Sequence, residues 1–306
     1  MSWLPRVGSV LTTSLLVATL AACGSVGTDA SGGSPAPSPS GDQDLAHRAA
    51  QLADRYAAAK AEAAPPALDL GDQLEQQDGD WEPAVGENDK LAWLTGHLVA
   101  VATLPAAPGP VMVLTGAGQG VSSTVISAGA ALAAMTARRS SCGGCTDLEV
   151  TGATLTTMDV RTAAGTVTVP AWRFSLRGTA VTLRRVAVPP SALVRTPVPL
   201  TPAPGDGLRA ESFEQAPGGR TLTVSFTGAH DEPGPCGADY RGVAFESDRA
   251  VVVAVLELPR KSSGQEIACA DVGAGRSVEV PLRRPLGDRT VLSLADGQSV
   301  VQGPAR

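Results

Sequence analysis

The sequence predicts an α+β chain, β-rich and in two parts: an α+β meander domain, then a small β-sandwich-like domain, behind a signal-like leader and a disordered tether. Three observations carry this. Runs at Leu148–Val160, Thr166–Leu176 and Val181–Val188 read as consecutive strands, and a helical segment precedes them. The stretch Pro189 to Gly207 holds six prolines and breaks the pattern. Beyond it, five shorter strand-like runs are separated by Gly, Pro and Asp turns. The expected divisions are 1–22 (leader), 23–43 (tether), 44–188 (helix plus α+β domain), 189–207 (linker) and 208–306 (β domain).

With 43% hydrophobic and 18% charged residues, the 306-residue chain is able to bury a core. Aromatics are only 3%, which leaves that core to Val, Leu and Ala. A net charge of −6 lacks the basic face of a nucleic-acid binder, so no nucleic-acid partner is expected.

The leader opens with Arg6 as its positive residue, and Val10 to Ala22 form an apolar stretch of 13 residues. That is shorter than the roughly 20 needed to span a bilayer. It ends in Leu20-Ala21-Ala22-Cys23, which resembles the lipobox of bacterial lipoproteins. The resemblance implies cleavage before Cys23 and a diacylglyceryl group on its thiol. It places the chain on the outer face of the cytoplasmic membrane, with that membrane as a partner through the lipid. A lone Arg6, rather than an Arg pair, fits general secretion. Gly24 to Gly41 is nearly all Gly, Ser, Pro and Ala, too poor in apolar surface to fold, and reads as a leash.

If Cys23 carries lipid, Cys142, Cys145, Cys236 and Cys269 remain, and outside the cytoplasm an even number implies two disulfides. Three connectivities are open. The pairs Cys142–Cys145 and Cys236–Cys269 are expected because the Pro-rich stretch separates them; the second closes a loop of 34 residues, worth on the order of 3–4 kcal/mol. Cys142-Gly143-Gly144-Cys145 also has the spacing of a thiol–disulfide redox centre. The helix-like segment precedes the pair, however, so its C-terminal end faces the thiols and would raise their pKa. A zinc ribbon needs a second close pair, and 236/269 is not one. No metal or cofactor is expected.

Along the chain, Asp44 to Ala64 carries an apolar stripe of Leu45, Ala49, Leu52, Tyr56, Ala59 and Ala63, and stops at Pro65-Pro66. Residues 41–90 hold twelve acids against four bases, whereas 91–205 hold three acids against eight bases. These opposite signs would let the acidic arm pack against the central segment, but a solvated acidic face is the commoner case and the favoured reading. Asp78, Asp80 and Glu82 lack the rest of a calcium loop. Lys90 to Leu104 mixes helical and strand spacing, with strand favoured for its second half. Val111–Leu114 and Val121–Ile126 pair as a hairpin, and Ser127 caps a helix from Ala128 to about Ala137. Trp172, Phe174 and Leu176 share one strand face, with Arg173 and Arg177 on the other. Gly178-Thr179 suits a two-residue hairpin turn. Arg220–Phe226, Gly242–Glu246, Ala250–Leu258, Ser277–Leu282 and Thr290–Leu294 are the later strands.

The Cys-Gly-Gly-Cys motif before Val169-Pro170-Ala171-Trp172-Arg173-Phe174, with Pro285-Leu286-Gly287-Asp288-Arg289 beyond, resembles uncharacterised secreted lipoproteins of actinobacteria (Streptomyces-type). That resemblance implies a location and an architecture and brings no activity. The glycines at 116, 118 and 120 miss the dinucleotide spacing, since Val121 stands where the last is required. There is no Gly-x-Ser-x-Gly. Only His47, His97 and His230 can act as bases; His230-Asp231-Glu232 is the grouping a hydrolase would use. The expectation is a non-enzymatic binding module for an envelope protein or small ligand, with Trp172, Arg173 and Arg177 as its surface. Redox chemistry at Cys142/Cys145 and an envelope hydrolase are the alternatives.

Overall fold

A strand that alternates apolar and polar residues buries one face, and a strand of continuous apolar residues buries two. Both kinds occur in this computed structural model, which describes residues 39–81, 86–114, 120–195, 205–260, 268–269 and 272–304. The leader, Cys23 and most of the tether lie outside the described residues. The elements run α1 (Pro39–Glu62), β1 (Glu75–Asp78), α2 (Gly86–Leu94), β2 (Leu98–Ala100), β3 (Val111–Leu114), β4 (Gly120–Ser123), α3 (Ala128–Thr136), β5 (Leu148–Thr162), β6 (Gly165–Leu176) and β7 (Thr182–Val186). There follow β8 (Ser212–Gln215), β9 (Thr221–Gly228), β10 (Ala238–Glu246), β11 (Ala250–Pro259), β12 (Ala274–Pro281), β13 (Thr290–Ser293) and β14 (Val301–Gln302).

The first sheet has seven strands in the order β1-β7-β6-β3-β4, with β5 on the other side of β6 and β2 parallel to β5. β6 is buried on both faces over much of its length. Trp172, Phe174 and Leu176 pack with Leu183 against α3, through Ala128, Ala131, Leu132 and Met135. Val167, Val169 and Ala171 face the other way, with Met158, Val160 and Val186, under Leu68 and Leu70. Ser127 caps α3 by accepting from the Ala130 N–H at 3.2 Å, as its position predicts. The β6–β7 connection runs from Leu176 to Thr182, longer than the two-residue turn expected at Gly178-Thr179.

The acidic arm is solvated at Asp42, Asp44, Asp54, Glu62, Asp72 and Asp80, but not along β1. β1 pairs antiparallel with β7, and its acids meet the bases of the central segment. Glu75 accepts from Arg138 (2.5 and 2.6 Å), from Arg185 (2.8 Å) and from the Trp93 indole (3.0 Å). Asp78 is forked by Arg184.

The second sheet system is a sandwich. Sheets β10-β11-β13 and β12-β9-β8-β14 enclose Phe213, Leu222, Val224, Phe226, Val280 and the odd-numbered valines Val251, Val253 and Val255. Ala250, Val252 and Ala254 point outward and are covered by α1 through Ala49, Leu52, Ala53 and Tyr56. The unbroken run in β11 is explained by this double burial. It also corrects the place of the helix: grouped by sequence with the first part, α1 packs on the second. It starts at Pro39, taking in the end of the expected 23–43 tether.

Residues 189–195 of the expected linker belong to the fold. Pro190–Ala192 form a 3-10 turn, Ser191 O accepts from the Ala64 N–H at 2.7 Å, and Val194 is buried under α1. Residues 196–204 lie outside the described residues. Pro39–Arg306 group as one compact unit containing both sheet systems. No helix among the described residues is long and apolar enough to cross a membrane.

Candidate functional site

Both expected cysteine pairs are bonded, with Cα atoms 5.6 Å apart in Cys142–Cys145 and 5.4 Å in Cys236–Cys269. The first lies after the C-terminal end of α3, between that helix and β5, so no helix N-terminus activates it. His97 is brought beside it from far upstream. The turn after α2 makes this possible: Gly96 has φ +76°, and a Cβ there would stand 3.0 Å from Arg139 N and 3.1 Å from Met135 O. Only glycine permits both the conformation and the close approach to the end of α3. The His97 ring then places Nδ1 3.0 Å from Asp147 Oδ1 and Nε2 2.8 Å from Ser140 O. Arg139 also donates to Asp147, at 2.7 Å. The hydrogen bond from His97, helped by Arg139, outweighs the cost of desolvation and holds the Asp147 carboxyl below the usual carboxylate range. Asn88 of α2 accepts the Thr146 N–H at 3.0 Å and fastens the far side of the loop.

A second arrangement is a polar cleft of about 260 Å³ where the two sheet systems meet. Four segments build it: Leu70–Gln73, the end of β5 at Arg161 and Thr162, Arg209–Ser212 running into β8, and Gln298, Ser299 and, at the start of β14, Val301. Ser212 is 3% exposed, and its Oγ has no hydrogen-bond partner among the described residues. Such a buried hydroxyl is costly unless something satisfies it. Arg161 makes no ion pair among the described residues; it donates to the carbonyls of Pro304 (2.8 Å) and Gln302 (3.4 Å). Arg209 pairs with Asp296 at 3.0 Å. Other hydroxyls here are engaged: Ser299 donates to Asp69 and Thr162 to Gly165 O. A larger groove of about 540 Å³ beside α1 has its buried polar groups saturated, Tyr56 by Asp69 and Thr290, and Arg289 by Glu246.

The chain matches no family model, no curated protein and no solved structure.

The expected binding surface is corrected. Trp172 is only 3% exposed, and its indole N–H donates to Ile126 O at 2.8 Å, because β6 is an inner strand with α3 over that face. Arg173 and Arg177 are exposed, and Arg177 pairs with Glu149. His47 lies on the exposed side of α1 beside Gln51, at 2.8 Å. His230 is exposed, and its neighbour Asp231 is held by Arg260 (3.2 Å) and Arg276 (3.7 Å). Neither cleft described above is lined by His230. Sequence reasoning missed Arg161, Arg209 and Ser212, since four distant segments converge there and none carries a local motif.

Proposed function

We propose that this chain is a lipid-anchored binding protein of the outer face of the cytoplasmic membrane, tethered through Cys23. In this reading the cleft at Arg161, Arg209 and Ser212 takes a small polar ligand that bears a carboxylate. The observation that carries it is the buried Ser212 Oγ without a partner, in a cleft that also holds an arginine with no carboxylate of its own. Guanidinium groups favour carboxylates through paired, charge-assisted hydrogen bonds, and a hydroxyl or amide on the ligand would satisfy Ser212. Asp72 and Glu211 also line the cleft, Glu211 accepting from the Thr227 hydroxyl at 2.8 Å and Asp72 lying 3.8 Å from Arg209, so Arg161 is the cation there that is left to a ligand's carboxylate. The lipobox residues and the two disulfides support an extracytoplasmic address.

Two experiments test this. Labelled palmitate fed to cells making the protein should enter the wild type and not Cys23→Ser; equal labelling would remove the anchor. Melting curves of the full chain with hydroxy acids, amino acids and uronic acids should show one class raising Tm, with the shift growing as ligand exceeds its Kd. Arg161→Ala should abolish that shift. If no class moves Tm, and Ser212→Ala simply stabilises the protein, the cleft is not a ligand site.

A further inference from the structure

We infer that reduction of the Cys142–Cys145 disulfide opens a zinc site, in which the two thiolates and the His97 ring are the protein ligands. This does not rest on the cleft or on the lipid anchor.

The sulfur atoms and a His97 ring nitrogen already lie within 4.8 Å of one another, although the three residues come from two separate segments. Cys-x-x-Cys is the ligand spacing of closed zinc knuckles, and two thiolates with an imidazole suit Zn²⁺ better than magnesium or calcium. The ring is oriented as in metalloproteins. Asp147 Oδ1 holds Nδ1 at 3.0 Å, the carboxylate–histidine arrangement that fixes which nitrogen is left for a metal. The other nitrogen, Nε2, is held against Ser140 O at 2.8 Å, on the stretch leading into Cys142. Within the cysteine loop, Gly143 and Gly144 have φ +64° and +99°, with nothing inside 4 Å of where their Cβ atoms would be. That turn is free to re-close around an ion when the sulfurs part. Arg139 shares Asp147 and Asn88 pins Thr146, so the histidine side of the site stays in place while the loop adjusts.

The chemistry balances with a protein dithiol as electron donor. One thiolate of the donor attacks the Cys142–Cys145 bond, and its second thiol resolves the mixed disulfide. The donor leaves oxidised, and the two cysteines gain two electrons and two protons. Zn²⁺ then displaces three protons to solvent, one from each thiol and one from the Nε2–H that Ser140 O had accepted, and the freed Nε2 lone pair coordinates the ion. A water completes the fourth position. Reoxidation by a disulfide-bearing protein reverses the exchange and releases the ion.

The test uses the full chain, reduced with a phosphine, desalted without oxygen and titrated with Co²⁺ and then Zn²⁺. The expected result is one Co²⁺ per chain with a near-ultraviolet thiolate-to-cobalt band, bleached when Zn²⁺ displaces it. The unreduced protein should show no band. Cys142→Ser with Cys145→Ser should abolish the band while leaving Cys236 and Cys269 in place. His97→Asn should weaken binding by at least about tenfold. X-ray absorption at the zinc edge of the wild type gives a readout that does not depend on any variant folding: two sulfurs and an imidazole are expected. The inference is overturned if the reduced wild type takes no Co²⁺, if the band survives loss of both cysteines, or if the absorption spectrum lacks imidazole.

Discussion

Glu246 at the end of β10 has a side chain only 4% exposed, yet it carries a charge. Burial pushes its carboxyl up. The hydrogen bond from Arg289 at 2.8 Å and the backbone N–H groups of Arg283 (2.6 Å) and Arg284 (3.4 Å) outweigh that and hold it below the ordinary carboxylate range. The sign follows from linkage. In the unfolded chain the carboxyl titrates at about 4.3, so as the pH falls past that value the unfolded state binds more protons than the folded one. The stabilisation is therefore complete above about pH 5 and falls away as the pH drops through the unfolded and then the folded pKa. Glu246→Gln should cost about 2–3 kcal/mol at neutral pH, because Arg289, itself 8% exposed, loses its counter-charge. In thermal melts from pH 7 to pH 3, the gap between wild type and variant should narrow with acid. A constant gap would show that the carboxylate charge is not what this contact supplies.

At the scale of elements, periodicity reveals faces and leaves addresses open. The stripe Leu45, Ala49, Leu52, Tyr56 along α1 was legible, and it is the buried stripe. Its partner was not legible, because a 3.6-residue period reports that a face is apolar and nothing about which sheet covers it. Only the double burial of β11 shows where the helix goes: a run of Ala and Val from 250 to 255 has one face for the sandwich and one for α1. The same limit explains Trp172. Period two placed it correctly with Phe174 and Leu176, but whether that face meets solvent depends on α3 and the Ile126 carbonyl above it. β1, with the sequence Glu-Gln-Gln-Asp, has no apolar pattern at all. It is a strand because Arg138, Arg184 and Arg185 wait for its acids, a pairing visible beforehand only as opposite net charges. The cysteine pairs were legible from the Pro-rich stretch that divides them, and His97 beside one of them was not, since it stands 50 residues before its partner Asp147.

For the whole molecule, the two sheet systems are joined by contacts that cross between them rather than by the chain alone. Asp69, next to Leu68 and Leu70 of the first core, accepts from the Tyr56 hydroxyl of α1 at 2.7 Å and from Ser299 Oγ at 3.0 Å. Burial, and then the charge of Asp69, push the Tyr56 phenol up, so this bridge stays neutral on its tyrosine side throughout ordinary pH. Arg161 at the end of β5 reaches the carbonyls of Gln302 in β14 and Pro304 just beyond it, and the walls of the cleft come from both systems. A site with walls of this origin exists only while both systems are folded together, so they should unfold in one step. The described tryptophans, Trp81, Trp93 and Trp172, all belong to the first system and make fluorescence a probe of it, whereas far-ultraviolet circular dichroism reports both. In urea the two signals should change at the same midpoint. Asp69→Asn, which weakens the crossing bonds by about 1–2 kcal/mol, should lower both midpoints together. A fluorescence transition that separates from the dichroism transition would show that the parts fold independently. The cleft would then be a seam between two domains whose walls shift with their packing, and Ser212 would lose its standing as a preformed ligand contact.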